Sequence, residues 1–420
     1  MTKALILLTA MPPTIGHGHL IQWAAKFMRA AEYSRPQLYV MVCTQPGEPM
    51  CQERLEAVQA FCLGVTDVPV RVEFLHATMP QYPRSEADTG FWTKWCQTIQ
   101  IRIGKVDVVF SSESYGRRLA TALGSDPIVV DPERMTHAVS ASAVRSDPIG
   151  RFGDILPEFR RHVVKTVTVF GAESTGKTTL SKAMNGDHVT EWARPYLESL
   201  ASPETTDERM GVIVTGQYAS QMTARAAVRS PIIVQDTDLL STIGYYRVYT
   251  DRWADNDDYW RCVAAFNRTK SDLYIVLRSD IPYTPDPLRY GGDHRESSDQ
   301  FWLDLLNEFG CTYRVFQTSD QDSRLQSANT LATQLFLNQP IWSFVRDKAE
   351  APTMTKRPRT YYRDFAGQLW LRDPDNRPVK AAVSGDRVVP ESCWICSGDC
   401  SAAPLPPLAC PVTMAPEYLG

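Results

Sequence analysis

The sequence predicts an α/β protein with two parallel sheets: a Rossmann-like domain at residues 1–160 and a P-loop domain at residues 161–340. A small Pro/Cys-rich extension at residues 341–420 follows. Three observations support this fold class. Short apolar strands alternate with helical stretches in two successive blocks, which is typical of parallel sheets covered on both faces. A glycine-rich phosphate-binding pattern opens the second block. Prolines and cysteines become dense where these periodic patterns end.

Length and composition bound the class of protein before any motif is considered. The 420 residues correspond to roughly two to three domains. Lysine and arginine number 44 against 48 aspartates and glutamates, and this net charge of −4 argues against a protein that coats nucleic acid. The longest apolar runs are too short for a membrane span, and the first is too short for a signal peptide. We therefore expect a cytoplasmic protein that binds small molecules, with no nucleic-acid or membrane partner. Whether the protein forms a homo-oligomer stays an open question.

Apolar runs place the individual elements. The strands of the first sheet are predicted at residues 4–8, 38–43, 70–75, 106–110 and 128–130. Amphipathic helical stretches between them include residues 20–31, 54–62 and 92–101. The strands of the second sheet are predicted at residues 163–170, 232–235, 273–277 and 313–316. In the extension, residues 361–372 and 381–389 predict a small hairpin.

The phosphate-binding pattern G-x-x-x-x-G-K-[ST] is met in full at residues 171–178, between a β-branched strand and a helical run. Backbone N–H groups of such a loop surround phosphate oxygens, and the helix N-terminus adds partial positive charge. Lys177 is predicted to reach the β- and γ-phosphates, and Thr178 to bind Mg²⁺. The predicted ATP-binding residues are Gly171, Ser174, Thr175, Gly176, Lys177, Thr178 and Thr179. The alternative is a chance turn rich in glycine and serine.

Polar residues after the loop indicate a kinase rather than an ATPase motor. Asp236 ends an apolar strand and is predicted to hold Mg²⁺, unless it caps the next helix; Asp238 is predicted to contact metal or substrate. Glu191 follows the short Val189-Thr190 run and can accept the proton of an attacking hydroxyl. Arg289 and Arg295 are predicted to close over the transferring phosphoryl group, unless they are solvated surface residues.

A histidine turn follows the first strand. Thr14-x-Gly16-His17 matches the [HT]-x-G-H element of nucleotidyltransferases. Gly16 lets a nucleotide approach the backbone, and His17 can donate to an α-phosphate as charge builds in the transition state. A shifted register at Gly18 and His19 offers no donor at its first position, so Thr14 is preferred. The alternative is a histidine that caps a helix or packs.

A second element supports the first. Ser140, Ser142 and Arg145 stand as in the nucleotidyltransferase pattern I-S-x-T-x-[IL]-R, and they are predicted to hold the leaving β- and γ-phosphates. A serine-capped helix with a solvated arginine is the alternative. The predicted catalytic residues of the two sites are Thr14, His17, Arg145, Lys177, Asp236 and Glu191.

With these motifs, the chain resembles the NadR type of bifunctional enzyme, a nicotinamide mononucleotide adenylyltransferase fused to a ribosylnicotinamide kinase. The resemblance covers about residues 1–340. Segments in the family's order carry it: residues 79–83, 90–95, 109–113, 130–134, 191–194, 236–238 and 288–289. It implies that Trp92 lies against the nicotinamide ring. It also implies that Trp192, Arg194 and Asp238 bind substrate.

The resemblance implies two reactions that use ATP and Mg²⁺. The kinase half phosphorylates the 5′-hydroxyl of nicotinamide riboside to give the mononucleotide. In the other half, the mononucleotide phosphate attacks the α-phosphorus of a second ATP, giving NAD and pyrophosphate. The sequence departs from the family in two places: Thr14 stands where histidine is usual, and residues 9–11 lack the family's Gly-Lys. The alternatives are a riboflavin-type kinase and adenylyltransferase, or a nucleotide-sensing regulator with weakened catalysis.

Cysteines concentrate in the extension. Four of the ten in the chain fall in its last 28 residues, namely Cys393, Cys396, Cys400 and Cys410. These four can form a thiolate zinc site, but the loose spacing favours free thiols. The sequence assigns no role to residues 341–420.

Overall fold

The computed structural model describes residues 1–81, 88–113, 115–133, 135–136, 138–200, 206–250, 252–282 and 295–345, and five short strands beyond them. The chain divides into two units, one ending at Phe344 and one running on from Val345. Among the described helices, none is both long enough and apolar enough to cross a membrane.

The first unit begins with a five-stranded parallel sheet. Its strands are β1 (Lys3–Leu8), β2 (Gln37–Thr44), β3 (Val70–His76), β4 (Val108–Ser111) and β5 (Asp126–Val129), in the order β3-β2-β1-β4-β5. Its helices are α1 (Ile15–Ala30), α2 (Cys51–Leu63), α3 (Thr89–Ile103), α4 (Tyr115–Leu123) and α5 (Ala141–Ser146). Neighbouring residues of β1 enter different buried clusters, Ile6 one and Leu5 the other, because successive strand residues point to opposite faces. The sheet is therefore covered on both faces, as its apolar strands predict.

A second parallel sheet follows in the same unit. Its strands are β6 (Lys165–Phe170), β7 (Asp187–Val189), β8 (Ile232–Asp236), β9 (Leu273–Leu277) and β10 (Tyr313–Phe316), in the order β10-β9-β6-β8-β7. Its helices are α6 (Pro157–Val163), α7 (Lys177–Ala183), α8 (Ala193–Glu198), α9 (Asp207–Ala226), α10 (Leu239–Tyr249), α11 (Asp257–Thr269), α12 (Arg295–Glu308), α13 (Gln321–Leu337) and α14 (Pro340–Ser343). Short 3₁₀ turns lie at Phe152–Asp154 and Trp253–Asp255.

One buried cluster joins helices of the first sheet to the second sheet. It contains Val144 of α5 and Phe159 of α6, together with Val167 of β6, Phe336 of α13 and Ile341 of α14. The rings of Phe152 and Phe336 meet edge to face at 5.8 Å, and the Gln339 amide donates to the carbonyl of Val163. Apolar contacts therefore run across the boundary that the sequence predicts near residue 160, and that boundary stays a prediction.

The second unit contains an antiparallel sheet. Its strands are β11 (Tyr361–Arg363), β12 (Leu369–Arg372), β13 (Pro378–Ser384), β14 (Arg387–Pro390) and β15 (Ala403–Pro404), paired in chain order. The single hairpin predicted between residues 361–372 and 381–389 is thus wrong in detail, because each predicted strand is two strands that pair with each other. The central pairing of β12 with β13 is close to the predicted one. The cysteines proposed for zinc, at positions 393, 396, 400 and 410, lie outside the described residues.

Candidate functional site

The loop after β6 has the backbone that a tight phosphate-binding turn requires. Gly171, Ser174 and Gly176 have positive φ angles of 132°, 56° and 90°. A Cβ at Gly171 would lie 2.3 Å from the carbonyl oxygen of Leu277 in β9, so only glycine fits there. The chain therefore curls at the carboxyl end of β6, and α7 begins directly afterwards at Lys177.

Side chains of the loop bind one of its own carbonyl groups. The buried Thr175 hydroxyl donates to the Ala172 carbonyl at 3.0 Å, and Lys177 Nζ donates to the same oxygen at 2.6 Å. Thr178 and Thr179 are exposed on the first turn of α7. The lysine expected to meet the phosphates thus lies folded onto the loop, and the predicted magnesium-binding hydroxyl faces solvent.

Asp236 ends β8 beside the strand that leads into the loop. It is buried, and it stands opposite Val169 in the pairing of β6 with β8. A Thr178 hydroxyl and an Asp236 carboxylate are oxygen donors of the kind that Mg²⁺ takes, with phosphates and waters completing the set. Within the described ranges, no three His, Cys, Asp or Glu side chains are grouped to hold a metal. When bound with ATP, magnesium would neutralise charge on the phosphate oxygens.

The Asp238 carboxylate is buried and forms hydrogen bonds within the protein. Asp238 is fully buried at the start of α10, and its carboxylate accepts hydrogen bonds from the Leu240 amide at 3.0 Å and the Tyr274 hydroxyl at 2.6 Å. Burial raises the pKa of Asp238 to about 6, although the hydrogen bonds act in the opposite direction. Asp238, and not Asp236, therefore caps the helix that follows β8. Direct contact of Asp238 with substrate stays a prediction, which this geometry does not favour.

Trp192 is fixed beside Glu191 by a hydrogen-bonded bridge. Its backbone N–H donates to the Gln217 side chain at 2.9 Å, and the Gln217 amide donates to the Thr237 carbonyl at 3.2 Å. The indole stacks on Tyr196 with a centroid distance of 4.9 Å. A Cβ at Gly216 would lie 2.2 Å from the indole, so α9 approaches it closely. The loop that carries the predicted base is thereby tied to the loop after β8.

Three further arginines are predicted for this site: Arg194 to bind substrate, and Arg289 and Arg295 to close over the phosphoryl group. Arg194 of α8 forms an ion pair with Glu198 at 3.6 Å and is partly exposed. Arg289 lies outside the described residues, and Arg295 begins α12 with its side chain likewise outside them. The roles of these three arginines stay predictions.

The pKa of Tyr245, in α10, responds to two carboxylates, one of which belongs to the phosphate loop. Burial, followed by the negative charges of Glu173 and Glu191, raises the pKa of Tyr245 well above its usual range. Its hydroxyl also forms a hydrogen bond with Glu173, the third residue of the loop. Sequence reasoning missed Tyr245 and Glu173, because position 173 is variable in the pattern and Tyr245 belongs to no motif.

At the first sheet, His17 both caps α1 and presents a donor. The Thr14 backbone N–H donates to His17 Nδ1 at 2.9 Å, and the Thr14 hydroxyl lies 2.8 Å from the same nitrogen. Because Nδ1 accepts the backbone hydrogen bond, we assign the ring proton to Nε2, the nitrogen suited to donate to a phosphate. Thr14 is buried, so its hydroxyl serves His17 rather than the surface.

The second predicted element lies beside the first. Ser140 caps α5 by accepting from the Ala143 amide at 3.0 Å. Arg145 donates to Ser142 Oγ at 3.3 Å and to the carbonyl of Met11, in the loop after β1.

The two glycines of this turn face different neighbours. A Cβ at Gly16 would lie 3.5 Å from the Val139 carbonyl, which places Gly16 against the second element. A Cβ at Gly18 would instead lie 2.8 Å from the partly buried ring of Phe61, because Gly18 faces the core. This supports the register that begins at Thr14.

Trp92 lies half-buried on α3, in edge-to-face contact with Phe91 at 4.9 Å. The helix is fixed by Trp95, whose indole N–H donates to the Pro80 carbonyl at 3.0 Å. An aromatic face at this position suits a planar ring, and the nicotinamide contact stays a prediction.

A buried cation occupies the region where the family's Gly-Lys is missing. Arg54 is fully buried and pairs with Glu48 at 2.9 Å. It also donates to the carbonyl of Thr9 and, at 3.4 Å, to that of Cys43. Arg54 therefore holds the loop after β1 from inside the protein; sequence reasoning missed it because no motif contains it.

Comparisons with known proteins found similar sequences and a similar fold. A family model described as an AAA domain matches residues 166–324. The trifunctional NAD biosynthesis/regulator protein NadR of Escherichia coli (strain K12) is 25% identical over 228 residues, which are 52% of this chain and 54% of the relative. The protein of that name from Salmonella typhimurium is 25% identical over 224 residues, 51% of this chain and 53% of the relative. The chain thus spans about half the length of the curated relatives it matches.

Solved structures extend the likeness in fold. A crystal structure of NadR protein in complex with NR has a TM-score of 0.57 and 20% identity, covering 80% of this chain and 96% of that one. A NadR structure in complex with NAD and AMP-PNP has a TM-score of 0.55 with the same identity and coverage.

Fold and loop together define the class: an α/β protein with two parallel sheets and a phosphate loop of the nucleotide-binding kind. Within that class, the predicted resemblance to NadR-type proteins is confirmed.

Proposed function

We propose that the protein makes NAD in two ATP-dependent steps at two separate sites. The site of the second sheet phosphorylates nicotinamide riboside to the mononucleotide. The site of the first sheet joins that mononucleotide to the adenylyl group of a second ATP. The names of the relatives, which describe NAD biosynthesis, support this assignment.

One observation carries the proposal: each sheet ends in its own loop that carries a predicted phosphate-binding motif. Arg145 donates to the Met11 carbonyl, which brings the Ser140 and His17 elements together at the end of β1. The loop at Gly171 lies at the end of β6, beside Asp236. Ligands of parallel α/β sheets bind at the carboxyl ends of the strands, so this arrangement supports two nucleotide sites.

In the kinase step, the riboside 5′-oxygen attacks the γ-phosphorus of ATP. A new O–P bond forms, the bond to the bridging oxygen breaks, and ADP leaves with that electron pair. Glu191 takes the hydroxyl proton, since Asp238 is already bound to Tyr274 and Leu240. Lys177 and the loop N–H groups stabilise the phosphoryl oxygens.

In the adenylyl step, a phosphate oxygen of the mononucleotide attacks the α-phosphorus of ATP, and pyrophosphate leaves. His17 donates from Nε2 to the α-phosphate while Thr14 holds the ring. Arg145 and Ser142 receive the leaving phosphates. Neither step needs a covalent intermediate, because correct positioning and charge stabilisation suffice.

The experiment incubates the purified full chain with ATP and Mg²⁺, and with either the riboside or the mononucleotide. Mass spectrometry should detect mononucleotide plus ADP in the first case and NAD plus pyrophosphate in the second. Lys177→Ala should slow riboside phosphorylation by about 10²–10³-fold and leave adenylyl transfer unchanged, because the lysine serves one site. Lys182→Ala, on the same helix but exposed, is the matched control and should change neither rate.

Formation of neither product by the parent protein would contradict the proposal. Loss of both reactions in Lys177→Ala would point instead to a shared site. A panel of other nucleosides and vitamins, including riboflavin, distinguishes a related kinase and adenylyltransferase. Tight ATP binding without turnover would favour a nucleotide-sensing regulator.

A further inference from the structure

A buried arginine lies directly behind the phosphate loop. Arg324 occupies the first turns of α13 and is only 3% exposed. Its guanidinium donates to three acceptors from different parts of the chain. They are the Thr318 carbonyl at 2.6 Å, the Thr175 carbonyl at 3.3 Å and Asp280 Oδ1 at 2.5 Å. One side chain thus joins the phosphate loop to the loops that follow β9 and β10.

The hydrogen bond to Thr175 fixes a peptide group of the phosphate loop. In a planar trans peptide, the carbonyl and the following N–H point in opposite directions. Because Arg324 holds the Thr175 carbonyl, the following Gly176 N–H points away from Arg324. Gly176 permits this with its φ of 90°.

Asp280 adds a second attachment at the same point. It forms an ion pair with Arg324 and is about one-third exposed. The next residue, Ile281, would approach a Cβ at Gly176 to 3.5 Å, so its side chain packs against the loop. Ser279, on the other side, bonds Asp299 of α12 at 2.9 and 3.1 Å. The segment after β9 is therefore held against the phosphate loop and α12.

We propose that Arg324 is a positioning residue for nucleotide binding, which orients the Gly176 amide toward the phosphates through the Thr175 carbonyl. This inference rests on the proposed nucleotide site at the loop. Donors that are already oriented bind an anion without paying for reorganisation when it arrives. A planar guanidinium reaches three acceptors at once, and a lysine ammonium at this position cannot reproduce that geometry.

The test measures binding of AMP-PNP with Mg²⁺ to the full chain by calorimetry. Arg324→Met should weaken binding by about 10- to 100-fold, since it removes a charged donor from the loop. Arg324→Lys and Asp280→Asn should each show a smaller loss. Arg247→Met is the matched control, because Arg247 ties α10 to α12 through Glu308 at 2.6 Å and should leave AMP-PNP affinity unchanged.

Steady-state kinetics separate positioning from general damage. The KM for ATP should rise in Arg324→Met while the KM for the riboside stays near the parent value. Parent-like AMP-PNP affinity in a folded Arg324→Met protein would overturn the inference, as would equal losses in Arg324→Met and Arg247→Met. If Arg324→Met does not fold, unchanged affinity in both Arg324→Lys and Asp280→Asn overturns it. Failure of the parent to bind AMP-PNP would instead remove the proposed kinase site itself.

Discussion

His17 combines two roles that one substitution can separate. Its Nδ1 accepts the Thr14 N–H at the start of α1, and its Nε2 is the proposed phosphate donor. In His17→Asn, the amide oxygen can replace Nδ1 as acceptor, but nothing replaces the Nε2 donor. We expect the rate of adenylyl transfer, measured as pyrophosphate release, to fall about 10²–10³-fold. The melting temperature should stay near the parent value.

His17→Ala removes the acceptor as well as the donor. We expect it to lose about 1 kcal/mol of stability in addition to the activity. Near-normal pyrophosphate release by His17→Asn would show that the histidine only caps the helix. Riboside phosphorylation should be unchanged in both variants.

Asp238 makes stability depend on pH in a defined direction. Burial raises the pKa of Asp238 from 3.8 to about 6, so the folded protein binds this proton more tightly than the unfolded chain does. Between about pH 4 and pH 6 the folded state holds more protons, and the free energy of unfolding therefore falls as pH rises. The contribution is about 3 kcal/mol at most. Denaturant titrations across this pH range measure it.

Asp238→Asn should remove that part of the pH dependence, because the amide does not titrate. Asn256→Ala is the control, because it removes a helix cap, at the start of α11, without changing a titratable side chain. The slope of stability against pH in this control should match the parent. Identical slopes in the parent and Asp238→Asn would contradict the prediction.

Motif residues were found from the sequence, and their supporting residues were not. Lys177 and His17 stand at fixed spacings that phosphate chemistry requires. Arg324 lies 149 residues from its partner Thr175, and Arg54 lies 45 from Thr9. Such long-range partners have no local signal, because only folding brings them together.

At the scale of elements, the close approach of the phosphate loop to β9 leaves no room for a side chain. Gly171→Ala would place a methyl group 2.3 Å from the Leu277 carbonyl at a φ of 132°. We expect a loss of stability of several kcal/mol and loss of AMP-PNP binding, measured by denaturation and calorimetry. Gly153→Ala is the control, since a Cβ there meets open space. Unchanged nucleotide affinity in Gly171→Ala would mean that the loop tolerates a different backbone.

Sheet strands were largely predictable because buried parallel strands read as continuous apolar runs. The predicted strands of the first sheet reappear with ends shifted by one or two residues. Strand β7 was not predicted, because it has only three residues, of which Asp187 and His188 are polar. In the extension, two residues of sequence, Gly385-Asp386, lie between β13 and β14, a spacing typical of hairpins. The prediction of one strand over residues 381–389 did not use this signal.

At the scale of the whole molecule, the cluster shared by the two sheets predicts cooperative unfolding of the first unit. Phe336 is fully buried between Phe152 and Trp342, at centroid distances of 5.8 and 5.3 Å. Phe336→Ala should lower the free energy of unfolding by about 3–5 kcal/mol. Because α2 and α5, which belong to the first sheet, and strands of the second sheet contribute to this cluster, heat should inactivate both reactions of the variant together.

Differential scanning calorimetry, with both activities followed during heating, checks this. Leu337→Ala changes the next residue of α13, which is only partly buried. It should lower the free energy of unfolding by less than Phe336→Ala does. Separate loss of the two activities at different temperatures would show that the sheets unfold independently.

The same shared cluster matters while the chain is being made. Ribosomes add about 5–20 residues per second, so the first 160 residues emerge on the order of 10 to 40 seconds before α14. During that interval Phe152 and Phe159 lack the partners that later cover them. The first 160 residues therefore expose apolar surface during this interval. Chaperone binding would matter most at this stage of synthesis.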